Sequence, residues 1–187
     1  MKNHILSCAI TLIETGSTLD FSVAKVAKAA GISQGNLTYH FRKKSDLINA
    51  VVQHLVERYK TMIDFSLDAH ADDGLFATLT KLMLENATNP AVINSFIFLW
   101  VNALKDASTA EQLANFYEQS ISHHDQPNKY HKHANSFAHL TLTGILNGMI
   151  PIMGVAKAQF DYEGYLQFLQ NLMQTLQLSL QIRNSSD

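Results

Sequence analysis

Cysteine is almost missing from this chain of 187 residues: Cys8 stands alone. One thiol cannot close an internal disulfide, so the fold must rest on a packed core, and a reducing compartment suits it. Ile5, Leu6, Ala9 and Ile10 surround Cys8 in sequence, which marks it as a small buried hydrophobe rather than a reactive thiol. Proline (3) and glycine (8) are also scarce, which argues against a turn-rich sheet protein and for helices. Charged residues make up only 16% against 47% hydrophobic, a lean surface on an ordinary globular composition. Long apolar runs are lacking too. The longest candidate, FIFLWV at 96–101, falls far short of the roughly 20 residues that a membrane span needs. The apolar stretch before ILSC is too short for a signal peptide. These absences describe a soluble, cytoplasmic protein with no membrane association. No glycine-rich phosphate loop, nucleophile elbow or paired-histidine zinc helix occurs, so neither an enzyme nor a cofactor is expected.

The little charge there is lies unevenly. Residues 1–47 hold six basic side chains (Lys2, Lys25, Lys28, Arg42, Lys43, Lys44) and three acidic ones (Glu14, Asp20, Asp46), a net +3 on a chain whose total is −2. A mildly basic head on an acidic body points to an anionic partner for the head.

Apolar periodicity is helical almost throughout, with no internal repeat, and predicts an all-α chain of about nine helices. Ile5, Leu6, Ala9, Ile10 and Ile13 define a first helix over 4–15, with Gly16 as its stop. Ser22 is placed to cap a second, with Phe21 and Val26 as a hydrophobic staple. Gly31 ends it. Ser33 can cap a short third helix, with Ile32 and Leu37 as staple, and Ser45 a long fourth that runs to about 69. ADDG at 71–74 breaks the chain before a fifth helix over 75–88. A sixth over 91–105 is apolar nearly all round and should lie inside. Ser108 and Glu111 form a capping box for a seventh, to about 122. HHDQPNKYHKH at 123–133 reads as a loop. An eighth helix spans about 134–155, interrupted at Pro151, and a ninth, capped by Asp161, runs to about 183. No flexible linker parts a head at 1–47 from a body at 48–187, so the fourth helix should join them as a rigid strut.

Within the head, residues 23–42 have the spacing of a helix–turn–helix. Val26, Ala27, Ala30, Ile32 and Leu37 are apolar or small. Ala27 must be small where two helices cross, and Gly31 supplies the positive φ of the tight turn. The third helix then carries Gln34, Asn36, Thr38, Tyr39 and His40 on a supported scaffold, followed at once by Arg42, Lys43 and Lys44. Polar side chains on such a helix suit base edges, and cations beside it suit phosphates. Gln and Asn amides pair bidentately with adenine, which predicts some A·T preference in each half-site.

The stretch TLDFSVAKVAKAAGISQGNLTYHFRKKSDLINAVV resembles the DNA-binding head of TetR-family transcriptional regulators. The likeness rests on the Ala-Gly-apolar-Ser turn, the glycine two residues after that serine, the Tyr-His-Phe ending and the Lys-Ser-Asp-Leu entry to the next helix. It is strong over about residues 4–55; beyond them only length and helicity agree. The resemblance implies that Ser22, Tyr39 and Lys44 contact phosphates, that Gly35 lets DNA come close, that Gln34 and Asn36 face the major groove and that Phe41 packs beneath the reading helix. Ser33, Thr38 and Lys43 complete the implied DNA-binding set. Thr38 departs from the family, where that position is often aromatic; it could pack its methyl on thymine or donate a hydrogen bond.

A single short helix reads few bases, so a homodimer on a palindromic duplex is expected, its half-sites about 34–36 Å apart. The interface candidates are Thr141, Gly144 and Gly148 on the eighth helix and Tyr165, Leu169, Leu172 and Leu176 on the ninth. The resemblance implies that these helices pair with their mates as a four-helix bundle. The body offers Phe96, Trp100, Phe116, Tyr117, Phe137, His139 and Thr143 as walls for a small, largely apolar effector, though the same residues also describe an ordinary core. By resemblance, such an effector would tilt the fourth helix and release DNA, making the chain a repressor. An alternative is an adaptor of the same fold whose body binds a protein partner. His123, His124, Asp125, His131, His133 and His139 suggest a metal, but most lie on a predicted loop with no cysteine, and no metal site is assigned.

Overall fold

A computed structural model describes residues 1–16, 18, 20–69 and 89–122, together with the helical positions 81–82, 85–86, 144, 148, 164, 167–168, 171–172 and 175. Six helices are delimited among them: α1 (Lys2–Glu14), α2 (Val23–Ala29), α3 (Gln34–His40), α4 (Lys44–Ala69), α5 (Pro90–Ala103) and α6 (Ala107–Ser122). No strand occurs among the described residues, and the chain is all-α. The chain divides into two compact units, one made of Met1–Lys60 with Asn89–Phe116 and the other of Thr61–Thr88 with Tyr117–Asp187.

The first unit is built on the apolar stripes read from sequence. Ile5, Ala9 and Ile13 line the inner face of α1 and are fully enclosed, with Ile10 beside them. Val26, Ala27 and Ala30 come from α2 and its C-cap, and Leu37 is the buried anchor of α3. Leu47, Val51, Val52 and Leu55 from the first half of α4 complete the floor. Burying side chains of this size contributes about 1.5–3 kcal/mol each.

The same core takes in Phe98 and Leu99 of α5. Phe98 meets Phe21 edge to face at 5.2 Å between ring centroids. Polar bonds fasten this packing. Asn94 Nδ2 donates to the Glu14 carbonyl at 3.0 Å, satisfying one of the open carbonyls at the end of α1. Thr18 Oγ1 donates to the Asn94 carbonyl at 3.2 Å, and the Tyr59 hydroxyl to the Val92 carbonyl at 3.3 Å. Arg58 of α4 reaches Glu14 of α1 at 2.6 Å. Helix α5 buries only one face, however: Ser95, Phe98 and Leu99 are enclosed, while Trp100 is 39% exposed. Most of the remaining α5 residues are half-buried, so the expectation of a helix lying wholly inside is met only in part.

Two helix starts also differ from the sequence reading. At α4 the cap is not Ser45, which is exposed. Asp46 reaches back instead, its Oδ2 accepting the Lys43 backbone N–H at 3.0 Å. A carboxylate is the stronger acceptor, and it complements the positive end of the helix. At α6 the cap is Asp106 rather than Ser108. Its Oδ1 accepts the Thr109 N–H at 2.9 Å, and the helix starts at Ala107. The buried Thr109 hydroxyl lies 3.0 Å from both Asp106 Oδ1 and Asn49 Oδ1, so the cap is also tied to α4. Helix α5 begins after Asn89, whose Oδ1 accepts from Ala91 N–H at 3.0 Å, with Pro90 in the first turn where its missing N–H costs nothing.

The predicted break at 71–74, the loop at 123–133 and Pro151 lie outside the described residues. No described helix is long and apolar enough to cross a membrane.

Candidate nucleic-acid interface

Two local motifs set the position of α3. At the end of α2, Gly31 takes φ 66. Its N–H bonds the Lys28 carbonyl at 3.2 Å and the Ile32 N–H bonds the Ala27 carbonyl at 3.0 Å. This paired closure is a Schellman motif, and it requires the left-handed conformation that glycine adopts without strain. Two residues on, Ser33 stands in extended conformation and its Oγ accepts the Asn36 N–H at 3.1 Å. Ser22 does the same for α2, accepting from Lys25 N–H at 3.3 Å. All three of these sequence expectations agree with the structure.

Leu37 fixes the rotation of α3. At about 100° per residue, Gly35 and Tyr39 point most directly away from it, with Gln34 and Thr38 on one flank and Asn36 and His40 on the other. The burial pattern agrees: Leu37 is fully enclosed and Tyr39 is 83% exposed. Ser33, Gln34, Gly35, Asn36 and Thr38 are exposed, and so are Lys43 and Lys44, while Ser22 is partly buried. The nine side chains singled out from sequence thus fall on α3 and the segments that cap and follow α2 and α3. Phe41 turns inward and is 4% exposed. His40 is half-buried and stands edge to face with Tyr39, 5.3 Å between ring centroids. Thr38 Oγ1 donates to the Gln34 carbonyl at 2.8 Å, so its proton is already engaged and its methyl and lone pairs remain.

Gly35 is helical, and a β-carbon built there would meet nothing nearer than Ser33 Oγ at 3.9 Å. The fold has no need of glycine at this position, where it weakens the helix by roughly 0.5–1 kcal/mol relative to alanine.

The electrostatics of this face follow from where its acids are occupied. Asp20 is paired with Lys25, whose ammonium hydrogen-bonds its carboxyl and holds it below the ordinary carboxylate range. Glu14 is paired with Arg58, and Asp46 caps α4. The side-chain cations of Lys2, Lys28, Arg42, Lys43 and Lys44 form no ion pair with a carboxylate among the described residues. Arg42, Lys43 and Lys44 follow α3 directly and are exposed, with Asp46, the α4 cap, as the acid among them. Sequence reasoning did not single out Lys2 as a site residue. It reaches this region because α1 begins beside the end of α3: its Nζ lies 5.3 Å from the centre of the Phe41 ring.

Other candidates are only partly described. Phe96 and Trp100 face each other along α5 with ring centroids 6.2 Å apart. Phe116 and Tyr117 are half-buried on α6. Phe137, His139 and Thr143 lie outside the described residues. Gly144 and Gly148 are helical and exposed, with open space where a β-carbon would stand. Leu172 is helical and half-buried, while Thr141, Tyr165, Leu169 and Leu176 lie outside the described residues. So does the histidine cluster from His123 to His139; among the described residues no group of His, Cys, Asp or Glu could hold a metal.

Comparison with known proteins bears on the head and on the fold. A family model described as "Bacterial regulatory proteins, tetR family" matches residues 5–51. The HTH-type transcriptional regulator BetI of Serratia proteamaculans is 20% identical over 107 residues, covering 55% of this chain and 54% of that protein. The nucleoid occlusion factor SlmA of Shewanella pealeana is 28% identical over 71 residues, covering 38% of this chain and 36% of that one. The chain thus spans about half the length, or less, of these curated relatives. The crystal structure of the multidrug binding protein EbrR complexed with proflavin superposes with a TM-score of 0.67 at 18% identity, over 91% of this chain and 98% of that one.

Proposed function

We propose, for a chain that is a member of the TetR family by its head and its fold, that it works as a DNA-binding transcriptional regulator. In this reading it is a cytoplasmic homodimer, carries out no catalysis and occupies a palindromic duplex through α3 of each copy. Residues 1–47 supply the reading head, which packs in one unit with the start of α4 and with α5, and 48–187 supply the surfaces that sense an effector and dimerise. Ser22, Ser33, Tyr39, Lys43 and Lys44 meet phosphates, Gln34, Asn36 and Thr38 meet base edges, and Gly35 admits the duplex. The observation that carries this reading is the outward face of α3: polar, exposed, anchored from behind by Leu37, and followed by the exposed cations Arg42, Lys43 and Lys44.

A small, largely apolar effector is proposed to release the DNA. Support comes from the Phe96–Trp100 pair on α5 and from a structural neighbour complexed with proflavin. Dimerisation through the segment around Gly144, Gly148 and Leu172 is supported by the open space over the two glycines. The second reading, an adaptor whose body binds a protein instead of an effector, draws on the similarity to a nucleoid occlusion factor.

Selection of bound duplexes from a random pool tests the DNA assignment. The recovered sites should be palindromic with A·T-biased half-sites. In Gln34→Ala one position in each half-site should lose its preference. Lys44→Ala should weaken all duplexes alike and flatten the salt slope by about 0.9 for each phosphate it no longer neutralises. Unchanged preference and slope in both variants would refute the docking. Repeating the binding with pooled metabolites separates the two readings: release by a small molecule favours the regulator, and DNA binding indifferent to every pool favours the adaptor.

A further inference from the structure

Resting on that reading, we infer that the DNA interface extends past the helix–turn–helix to the first turn of α1, where Lys2 serves as a phosphate contact at the C-terminal end of the reading helix.

The argument begins with size. Seven residues at 1.5 Å each make α3 roughly 10 Å long, close to the ~12 Å width of the major groove. A helix of that length lying across the groove brings its two ends near the two phosphate backbones. The ends are not equivalent. At the N-terminal end, Ser33 caps the Asn36 N–H. At the C-terminal end, the last carbonyls present partial negative charge, and an approaching phosphate is repelled unless cations stand there. The sequence supplies Arg42, Lys43 and Lys44 directly after the helix. The fold adds Lys2.

The position of Lys2 has a structural cause. The first residue of α1 lies beside the C-cap of α3, and the Lys2 ammonium sits over the Phe41 ring at 5.3 Å from its centre. Phe41 is itself fixed in the core at 4% exposure. The ring therefore holds the amine at the end of the reading helix before any ligand arrives, which lowers the ordering cost of a later contact. A cation over an aromatic face at the surface is held only weakly, so the amine can turn to a stronger anion. Among the described residues Lys2 forms no ion pair: Glu14 and Asp20 are paired with Arg58 and Lys25, and Asp46 is bonded to the Lys43 N–H as the α4 cap. An exposed ammonium, oriented by a buried ring and without an ion pair among the described residues, is suited to a phosphate oxygen.

The role assigned to Lys2 is to add affinity without sequence preference. The test is fluorescence anisotropy of the full chain with a labelled duplex of random sequence, titrated across a range of salt. Lys2→Gln should lower the slope of log affinity against log salt by about 0.9 for each bound copy, so that its affinity converges with wild type as salt rises. Lys2→Arg should restore the slope. Lys105→Gln, an exposed change at the far end of α5, should leave it alone. A Lys2→Gln slope equal to wild type overturns the inference while leaving the regulator reading intact. An equal drop in Lys105→Gln also overturns it, since the effect would then belong to overall charge. A wild-type chain that binds no duplex overturns both together.

Discussion

Gly35 is the residue at which stability and binding pull apart. Its backbone is ordinary helix, and the space around it is empty, so nothing inside the molecule requires glycine. Gly35→Ala should therefore raise the thermal midpoint, by the equivalent of about 0.5–1 kcal/mol. The added methyl would stand between Gln34 and Tyr39 on the outward face, and affinity for the selected duplex should fall by about tenfold, near 1.4 kcal/mol. Calorimetry and anisotropy on one preparation check both signs. A variant that is more stable and binds as well as wild type would remove Gly35 from the interface. This residue was singled out by the resemblance, through the glycine two residues after the turn serine. Lys2 was not. Its importance depends on which end of α3 the start of α1 lies beside, and no pattern in the first residues encodes that.

Among the helices, the starts show where reading from sequence succeeds and where it stops. Ser22, Ser33 and Gly31 were legible because each cap or turn uses neighbours within three or four residues. At α6 the sequence reading took Ser108, with Glu111, as the cap, whereas the structure uses Asp106, two residues earlier. The choice is made from a distance: Thr109 is buried against Asn49 of α4, and only Asp106 can serve the Thr109 N–H while its oxygen also lies against the Thr109 hydroxyl. Asp106→Ala should accordingly cost about 0.5–2 kcal/mol, with Ser108→Ala close to neutral. Urea melts of the two variants decide between them, and the opposite ranking would restore Ser108 as the cap. The long α4 obeys the same rule. Its extent to about residue 69 was evident, but its cap, Asp46, lies one residue beyond the serine that sequence preference favoured.

On the scale of the whole molecule, the unit that carries α3 is larger than the helix–turn–helix. Tyr59 of α4 bonds the Val92 carbonyl of α5 across this unit. Burial, outweighing the nearby Arg58 charge, raises the Tyr59 pKa above its ordinary value near 10. The folded state thus favours the neutral phenol. Its contribution is complete below pH 10 and disappears as pH climbs through the raised folded value. Tyr59→Phe should be less stable than wild type at neutral pH, by roughly 0.5–1.5 kcal/mol for the missing bond. The gap should close in alkali, as chemical denaturation at stepped pH would show; a gap that widens above pH 10 would contradict the sign. Helicity, element order and the stripe on α1 were all legible in the sequence. That α5 would close the core of the head was not, because Phe98 and Phe21 are far apart in the chain and their meeting depends on tertiary packing.

The edge-to-face meeting of Phe21 and Phe98 bears on how such proteins could be recombined. Phe21 immediately precedes Ser22, the cap of α2, so whatever supports that ring also supports the start of the helix–turn–helix. A chimera spliced after Leu47 onto a foreign sensor would inherit the reading helix but lack the aromatic wedge beneath it. A transplant for biosensor use should carry residues 89–116 along, or supply a phenylalanine from the new host at the same spot.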